Sequence, residues 1–105
     1  MQKKGLITQK FISSLLYLFA VPSAIQPIEN VNITEGRNWT LLCNVSGIPP
    51  PMVSWIKVGG GNIIANGSEL VFTNINRNET GEYRCDASNV CGNASETATI
   101  EVQCK

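Results

Sequence analysis

The sequence contains no histidine among its 105 residues. Histidine is the side chain whose unperturbed pKa lies closest to neutral pH, and it is also the commonest metal ligand in proteins. Its absence excludes catalytic arrangements that depend on a Ser-His-Asp triad or a Cys-His pair. We therefore expect that the chain is not an enzyme and that it has no catalytic residues.

Charged residues are also few, and their signs balance. They make up 15% of the sequence, with eight Lys or Arg against eight Asp or Glu. A basic surface of the kind that binds nucleic acid or anionic lipid is therefore not expected. The sequence has no Cys-x-x-Cys pair, which argues against a four-cysteine zinc site. We predict no metal, no other cofactor and no nucleic-acid partner.

Long apolar runs are absent after the first 24 residues. Three lysines in the first ten residues precede an apolar stretch at 11–24 that ends in small residues, which is typical of a secretory signal peptide. The stretch is shorter than the roughly 20 apolar residues that span a bilayer. We therefore predict a leader over residues 1–24, one domain over 25–105 and no membrane-spanning segment. Cleavage could follow Ala20, Ser23 or Ala24. We favour a cut after Ser23 or Ala24.

Asparagines in the triplet Asn-x-Ser/Thr are frequent after the leader. One such triplet is weak evidence for glycosylation, but several of them behind a leader indicate a glycoprotein that is secreted or displayed at the cell surface. The six predicted glycosylation sites are Asn32, Asn38, Asn44, Asn66, Asn78 and Asn93.

Short runs of alternating apolar and polar residues follow the leader, and no helical period is sustained. Turn residues such as Gly, Pro and Asn separate the runs, and this pattern predicts an all-β sandwich or barrel. The predicted strands cover 31–34, 39–45, 52–57, 70–75, 82–87 and 97–102. The strand at 31–34 is predicted to be the second half of a split edge strand, whose first half contains Pro27. The predicted turns lie at 35–36, 59–62, 66–67 and 92–93.

Four cysteines in a short secreted chain indicate disulfides. Cys43 and Cys85 fall at inward positions of two central strands, and Trp55 is inward between them. A bond between these cysteines would join two sheets beneath the indole. Closing a loop of about 40 residues stabilises the fold by about 4 kcal/mol in the chain-entropy model.

The other two cysteines lie at opposite ends of the last predicted strand. Nine strand residues at about 3.3 Å each separate Cys91 from Cys104 by about 30 Å, whereas disulfide partners need Cα atoms within about 7 Å. We therefore do not expect them to pair with each other. Free thiols and bonds to another chain or domain remain open alternatives.

Tyr83 lies two residues before Cys85. Together, Cys43, Trp55, Tyr83 and Cys85 resemble the core of the immunoglobulin superfamily. Three further motifs are similar to its intermediate set: Gly47-x-Pro49-x-Pro51-x-Val53-x-Trp55, Gly81-x-Tyr83-x-Cys85 and Ala87-x-Asn89-x-x-Gly92. The resemblance covers residues 27–103 and implies an immunoglobulin-like sandwich of two antiparallel sheets. Two residues depart from the family pattern. Glu79 replaces an aspartate, which puts the family's buried ion pair in question, and Trp39 replaces a smaller residue and is expected to fill one end of the core.

The family arrangement implies which face of the sandwich is available to a partner. Asn38 and Asn44 would point out from one sheet, Asn32 would lie on the adjoining edge, and the remaining sequons would lie in loops or turns. The opposite sheet would then carry no sequon within its strands, so we predict that it binds the partner, together with the loop 90–93. The candidate partner residues on this face are Ile56, Arg84, Asp86 and Thr99.

The predicted function is that of an extracellular protein-binding module of the cell-adhesion or receptor type. The favoured interpretation is the first immunoglobulin domain of a longer ectodomain, with homophilic contact among the candidate partner interactions. The alternative is a complete small secreted protein that acts as a soluble ligand, a decoy or a matrix component.

Overall fold

The computed structural model describes residues 20–105, so most of the predicted leader lies outside the described residues. Within this range the chain forms nine strands and one short 3-10 helix. In chain order these are β1 (Val21–Ile25), β2 (Val31–Thr34), β3 (Trp39–Leu42), β4 (Val45–Ile48), β5 (Met52–Lys57), β6 (Ile63–Asn66), β7 (Glu69–Phe72), η1 (Arg77–Glu79), β8 (Gly81–Asn89) and β9 (Gly92–Gln103).

The strands form two layers. One layer is a five-stranded sheet in the order β2-β9-β8-β5-β6, antiparallel except where β2 runs parallel to β9. The other layer contains two antiparallel pairs, β1-β4 and β3-β7. Strands β3 and β4 follow each other closely along the chain, interrupted only at Cys43 and Asn44. The prediction of an all-β, immunoglobulin-like sandwich is confirmed.

The core between the layers is built from side chains at alternate strand positions. Trp55 is 0% exposed, and its Nε1 donates a hydrogen bond to the carbonyl of Ser68 at 3.2 Å. Phe72 of β7 meets Tyr83 of β8 edge to face, with ring centroids 5.2 Å apart. Leu41 and Ile100 complete the same cluster from β3 and β9. The period of two therefore sends one side of each central strand into a shared apolar core.

The predicted disulfide between Cys43 and Cys85 is present, with Cα atoms 6.4 Å apart and a sequence separation of 42. Nearby, the Tyr83 hydroxyl donates a hydrogen bond to the Glu79 carbonyl, which ties the start of β8 to η1. Burial raises the pKa of Tyr83, and the charge of Glu79 adds to the increase. The Glu79 carboxylate itself accepts from the backbone N–H of Asn76 at 3.2 Å, so it caps the short helix.

Several predicted boundaries differ from the structure. Strand β5 coincides with the predicted run 52–57, and the predicted turn at 35–36 is present with Gly36 at φ 93°. Strand β7 is shorter than predicted, because Asn74 has a left-handed φ of 51°. Strand β6 was not predicted, since Ile63 to Asn66 do not alternate strictly.

Strand β1 occupies residues 21–25, of which 21–24 were assigned to the leader by sequence. It pairs with β4, and Ser23 is buried. The prediction that Trp39 fills the core is wrong, because its side chain is 41% exposed. Trp39 has the inward parity of Leu41, but it lies at the end of β3, where the layers no longer cover it.

Replacing both bonded cysteines, Cys43→Ala with Cys85→Ala, should lower the free energy of unfolding by about 4 kcal/mol, because the unfolded chain regains the freedom of a closed loop. Urea denaturation measures this loss. The matched control is Cys91→Ser with Cys104→Ser, which alters two exposed thiols and should change stability by less than about 0.5 kcal/mol. Equal losses in the two variants would contradict the structural role of the disulfide.

Candidate protein-binding face

The four candidate partner residues lie on the three central strands of the five-stranded sheet. Ile56 of β5 is directly opposite Arg84 of β8, and Thr99 of β9 is opposite Glu82. Their side chains alternate with buried neighbours, so they point away from the core. Ile56, Arg84 and Asp86 form a patch at the centre of the sheet, and Thr99 extends it towards one end. We call the outer side of β5, β6, β8 and β9 the partner face.

A polar network fixes the side chains at the centre of the partner face. Arg84 donates two hydrogen bonds to Asp86, at 2.9 and 3.2 Å, and the Ser95 hydroxyl donates to the same carboxylate at 2.6 Å. Burial raises the pKa of Asp86, but hydrogen bonds from Ser95 and Arg84, together with the Arg84 charge, outweigh it, so that the pKa lies below its ordinary value of 3.8. The network presents an ordered pair of opposite charges to a partner.

An apolar groove borders this network. Its cavity volume is about 200 Å³, and Met52, Ile63, Asn66 and Asp86 are among the residues that line it. Met52 is 82% exposed and Ile63 is 60% exposed. Sequence reasoning missed both residues. The outward parity of Met52, shared with Ile56, was an available signal, whereas Ile63 had none because β6 was not predicted.

The expectation that no sequon lies within this sheet is wrong. Asn32 lies in β2, Asn66 in β6 and Asn93 in β9, and each is paired in register with an outward residue: Glu101, Ser54 and Ser88, respectively. The hairpin turn falls at 90–91, so Asn93 belongs to the strand and not to the loop. Asn32 and Asn66 lie on the two edge strands, and Asn93 lies at one end of β9. The centre around Arg84 is about four strand residues, or about 13 Å, from the position of Asn93, whereas Asn66 lines the apolar groove together with Asp86.

The remaining candidate features lie away from this centre. Asn38, Asn44 and Asn78 are exposed outside the five-stranded sheet. Cys91 and Cys104 are exposed free thiols that flank the two ends of β9. Among residues 20–105, no cluster of three or more Cys, Asp or Glu side chains could hold a metal ion. In the same range, no helix is long and apolar enough to cross a membrane.

Comparison with known families assigns the fold to a class. The family described as "Immunoglobulin domain" matches residues 22–89, which is more than half of the chain. This chain belongs to that family, and the match confirms the prediction that the domain is not an enzyme. The intermediate-set subtype stays a prediction.

Similar proteins include cell-adhesion and muscle proteins. Human hemicentin-1 is 37% identical over 87 residues, which is 76% of this chain and 2% of hemicentin-1. Mouse neuronal cell adhesion molecule is 31% identical over 91 residues, covering 79% of this chain and 7% of that protein. The Caenorhabditis elegans muscle M-line assembly protein unc-89 is 32% identical over 92 residues, which cover 77% of this chain and 1% of unc-89. The chain thus spans a small fraction of these relatives.

Solved structures agree with this assignment. A chain in the crystal structure of Dpr11 IG1 bound to DIP-gamma IG+IG2 matches with 30% identity and a TM-score of 0.73, and the match covers 80% of this chain and 49% of the matched chain. Sidekick-1 immunoglobulin domains 1–5 match with a TM-score of 0.75 at 24% identity, covering 82% and 20%. The second likeness supports the fold alone.

The pKa of Asp86 predicts a pH-dependent contribution to stability. This pKa is lower in the folded chain than in the unfolded chain. The carboxylate of Asp86 therefore stabilises the fold above pH 3.8, its ordinary pKa, and this stabilisation is lost as the pH falls through the lowered pKa. Asp86→Asn should therefore cost at most about 1 kcal/mol at neutral pH, since the pair is partly exposed, and less in strong acid. Denaturation at several pH values measures the difference. Thr97→Ala is the control, and a cost for Asp86→Asn that grows in acid would contradict the assignment.

Proposed function

We propose that this chain is an extracellular recognition module of the cell-adhesion or receptor type that binds a protein partner through the partner face. The observation that carries the proposal is the combination of exposed Met52 and Ile63 with the ordered Arg84–Asp86 pair. Protein interfaces typically join an apolar centre to a polar rim, and they are enriched in Met and Arg. A solvated sheet face has no need of a methionine that is 82% exposed.

The relatives support a binding role. One of them is the mouse neuronal cell adhesion molecule. The Dpr11 domain described above was solved bound to another immunoglobulin-domain protein. By analogy, we propose that the partner of this chain is a protein, and a second copy of the chain is one candidate.

The extracellular location rests on features of this chain, because its relatives include a muscle M-line protein. The Cys43–Cys85 disulfide fits an oxidising compartment. All six sequon asparagines are exposed, so each is accessible for glycan attachment. Position as the first domain of a longer ectodomain is part of this proposal, and the small secreted protein remains the alternative.

The partner face leads to a binding prediction. The purified, glycosylated chain is coated on fluorescent beads, and we measure self-aggregation of the beads and their adhesion to cells of the source organism. The triple variant Ile56→Ala, Arg84→Ala, Asp86→Ala should reduce whichever of these two forms of binding the unaltered chain shows by at least tenfold. The reason is that a loss of about 1.4 kcal/mol of contact energy already weakens binding tenfold.

The control for this experiment alters the opposite layer, at exposed positions of β3 and β7 that belong to no sequon: Leu42→Ala, Glu69→Ala and Val71→Ala. This variant should bind as the unaltered chain does. Full binding by the partner-face variant, together with loss in the control, would move the site to the opposite layer. Thermal melting of both variants checks that each is folded.

The leader leads to a second prediction. We propose that cleavage follows Ala20, because a cut after Ser23 or Ala24 would remove most of β1. That strand pairs with β4, and the carbonyl of Val21 accepts a hydrogen bond from Asn89 at 2.8 Å. Amino-terminal sequencing of the secreted protein should therefore begin at Val21. A sequence that begins at Ala24 or Ile25 would contradict this site, and an uncleaved chain would contradict the leader itself.

A further inference from the structure

Trp39 is the exposed one of the two tryptophans in this chain. Its side chain is 41% exposed, whereas Trp55 is fully buried. An indole at the surface leaves a large apolar area in water. Trp39 lines two surface grooves, and the residues that line these grooves with it indicate what covers the indole.

Trp39 lines two grooves, and both are formed by residues of β2 and β3 and the segments next to them. The larger has a volume of about 440 Å³ and extends along Ile28–Asn32 and Trp39–Leu42. The smaller has a volume of about 320 Å³ and includes Arg37 and Asn38. Asn32 and Trp39 are the two residues that line both grooves. The attachment point of a predicted glycan therefore stands beside the exposed indole.

We propose that the innermost sugars of a glycan on Asn32 lie in the larger groove and cover the indole of Trp39. This inference rests on the extracellular location proposed above. One face of an N-acetylglucosamine ring presents C–H groups, which suit an aromatic surface, and its hydroxyls can bond to polar groups on the groove such as Asn30 and Thr40. The covalent tether gives the sugar a high effective concentration, so that even a weak contact is occupied.

The glycan on Asn38 is the competing occupant, and the geometry favours Asn32. Asn38 lines only the smaller groove. Its Oδ1 accepts a hydrogen bond from the backbone N–H of Asn74 at 2.9 Å, which holds the amide against the segment that follows β7. Asn32, by contrast, lines both grooves together with Trp39.

Acrylamide quenching of tryptophan fluorescence tests the proposal, because quencher reaches Trp39 while Trp55 is shielded. The protein is secreted from eukaryotic cells, and site occupancy is measured by mass spectrometry. Thr34→Ala removes the sequon of Asn32 and should raise the quenching constant about twofold, since the sugar no longer covers the ring. Asn32→Gln removes the same glycan by a different change and should give the same result.

The matched control is Asn38→Gln, which removes only the sequon of Asn38, a residue outside the larger groove, and should leave quenching unchanged. Unglycosylated protein refolded from bacteria should be quenched equally with and without Thr34→Ala, which excludes an effect of the substitution itself. An increase for Asn38→Gln alone, no increase after loss of the Asn32 glycan, or an empty Asn32 on a protein glycosylated elsewhere would overturn the proposal. A chain that is retained in the cytosol without any glycan would overturn the proposed function as well.

Discussion

The link between Cys43 and Cys85 is the constraint on which the rest of the structure depends. Cys43 lies at the break between β3, which pairs with β7, and β4, which pairs with β1. Cys85 lies within β8, which pairs with β5 on one side and β9 on the other. The bond therefore joins the middle of both layers. Arg84 and Asp86 flank Cys85 along the chain, so the same buried residue that holds the layers together also fixes the backbone of the partner face.

Much of the fold could be predicted from the sequence because one side of each central strand is buried. In β8, Tyr83, Cys85 and Ala87 are buried while their neighbours are more exposed, and this alternation is visible in the sequence. Strand β6 could not be predicted on the same basis. None of its four residues is fully buried, so it pairs with β5 mainly through the backbone, and backbone pairing leaves little trace in side-chain order.

The candidate site could be predicted only in part, because alternation gives the direction of a side chain but not its neighbours. The outward direction of Ile56, Arg84 and Asp86 followed from their parity. The pairing of β5 with β6 sets Ile63 opposite Ile56, in a groove that Met52 also lines, and this arrangement depends on tertiary register. The same limit explains the sequons: Asn93 has outward parity, but a turn predicted two residues too late placed it in a loop.

Two exposed apolar features of this chain each lie beside a sequon, and the occupants that we propose for them differ for physical reasons. Trp39 beside Asn32 offers a flat aromatic face, which suits a sugar, and one charged residue lines each of its two grooves, Glu29 in the larger and Arg37 in the smaller. Met52 beside Asn66 offers a flexible thioether that adapts to irregular surfaces, and Asp86 with its Arg84 partner lies next to it. A neutral sugar over that pair would remove water from charges without replacing the lost interactions, whereas charged groups of a protein can restore them. The groove at Met52 therefore suits a protein partner, and occupancy of Asn66 determines whether that partner can reach it.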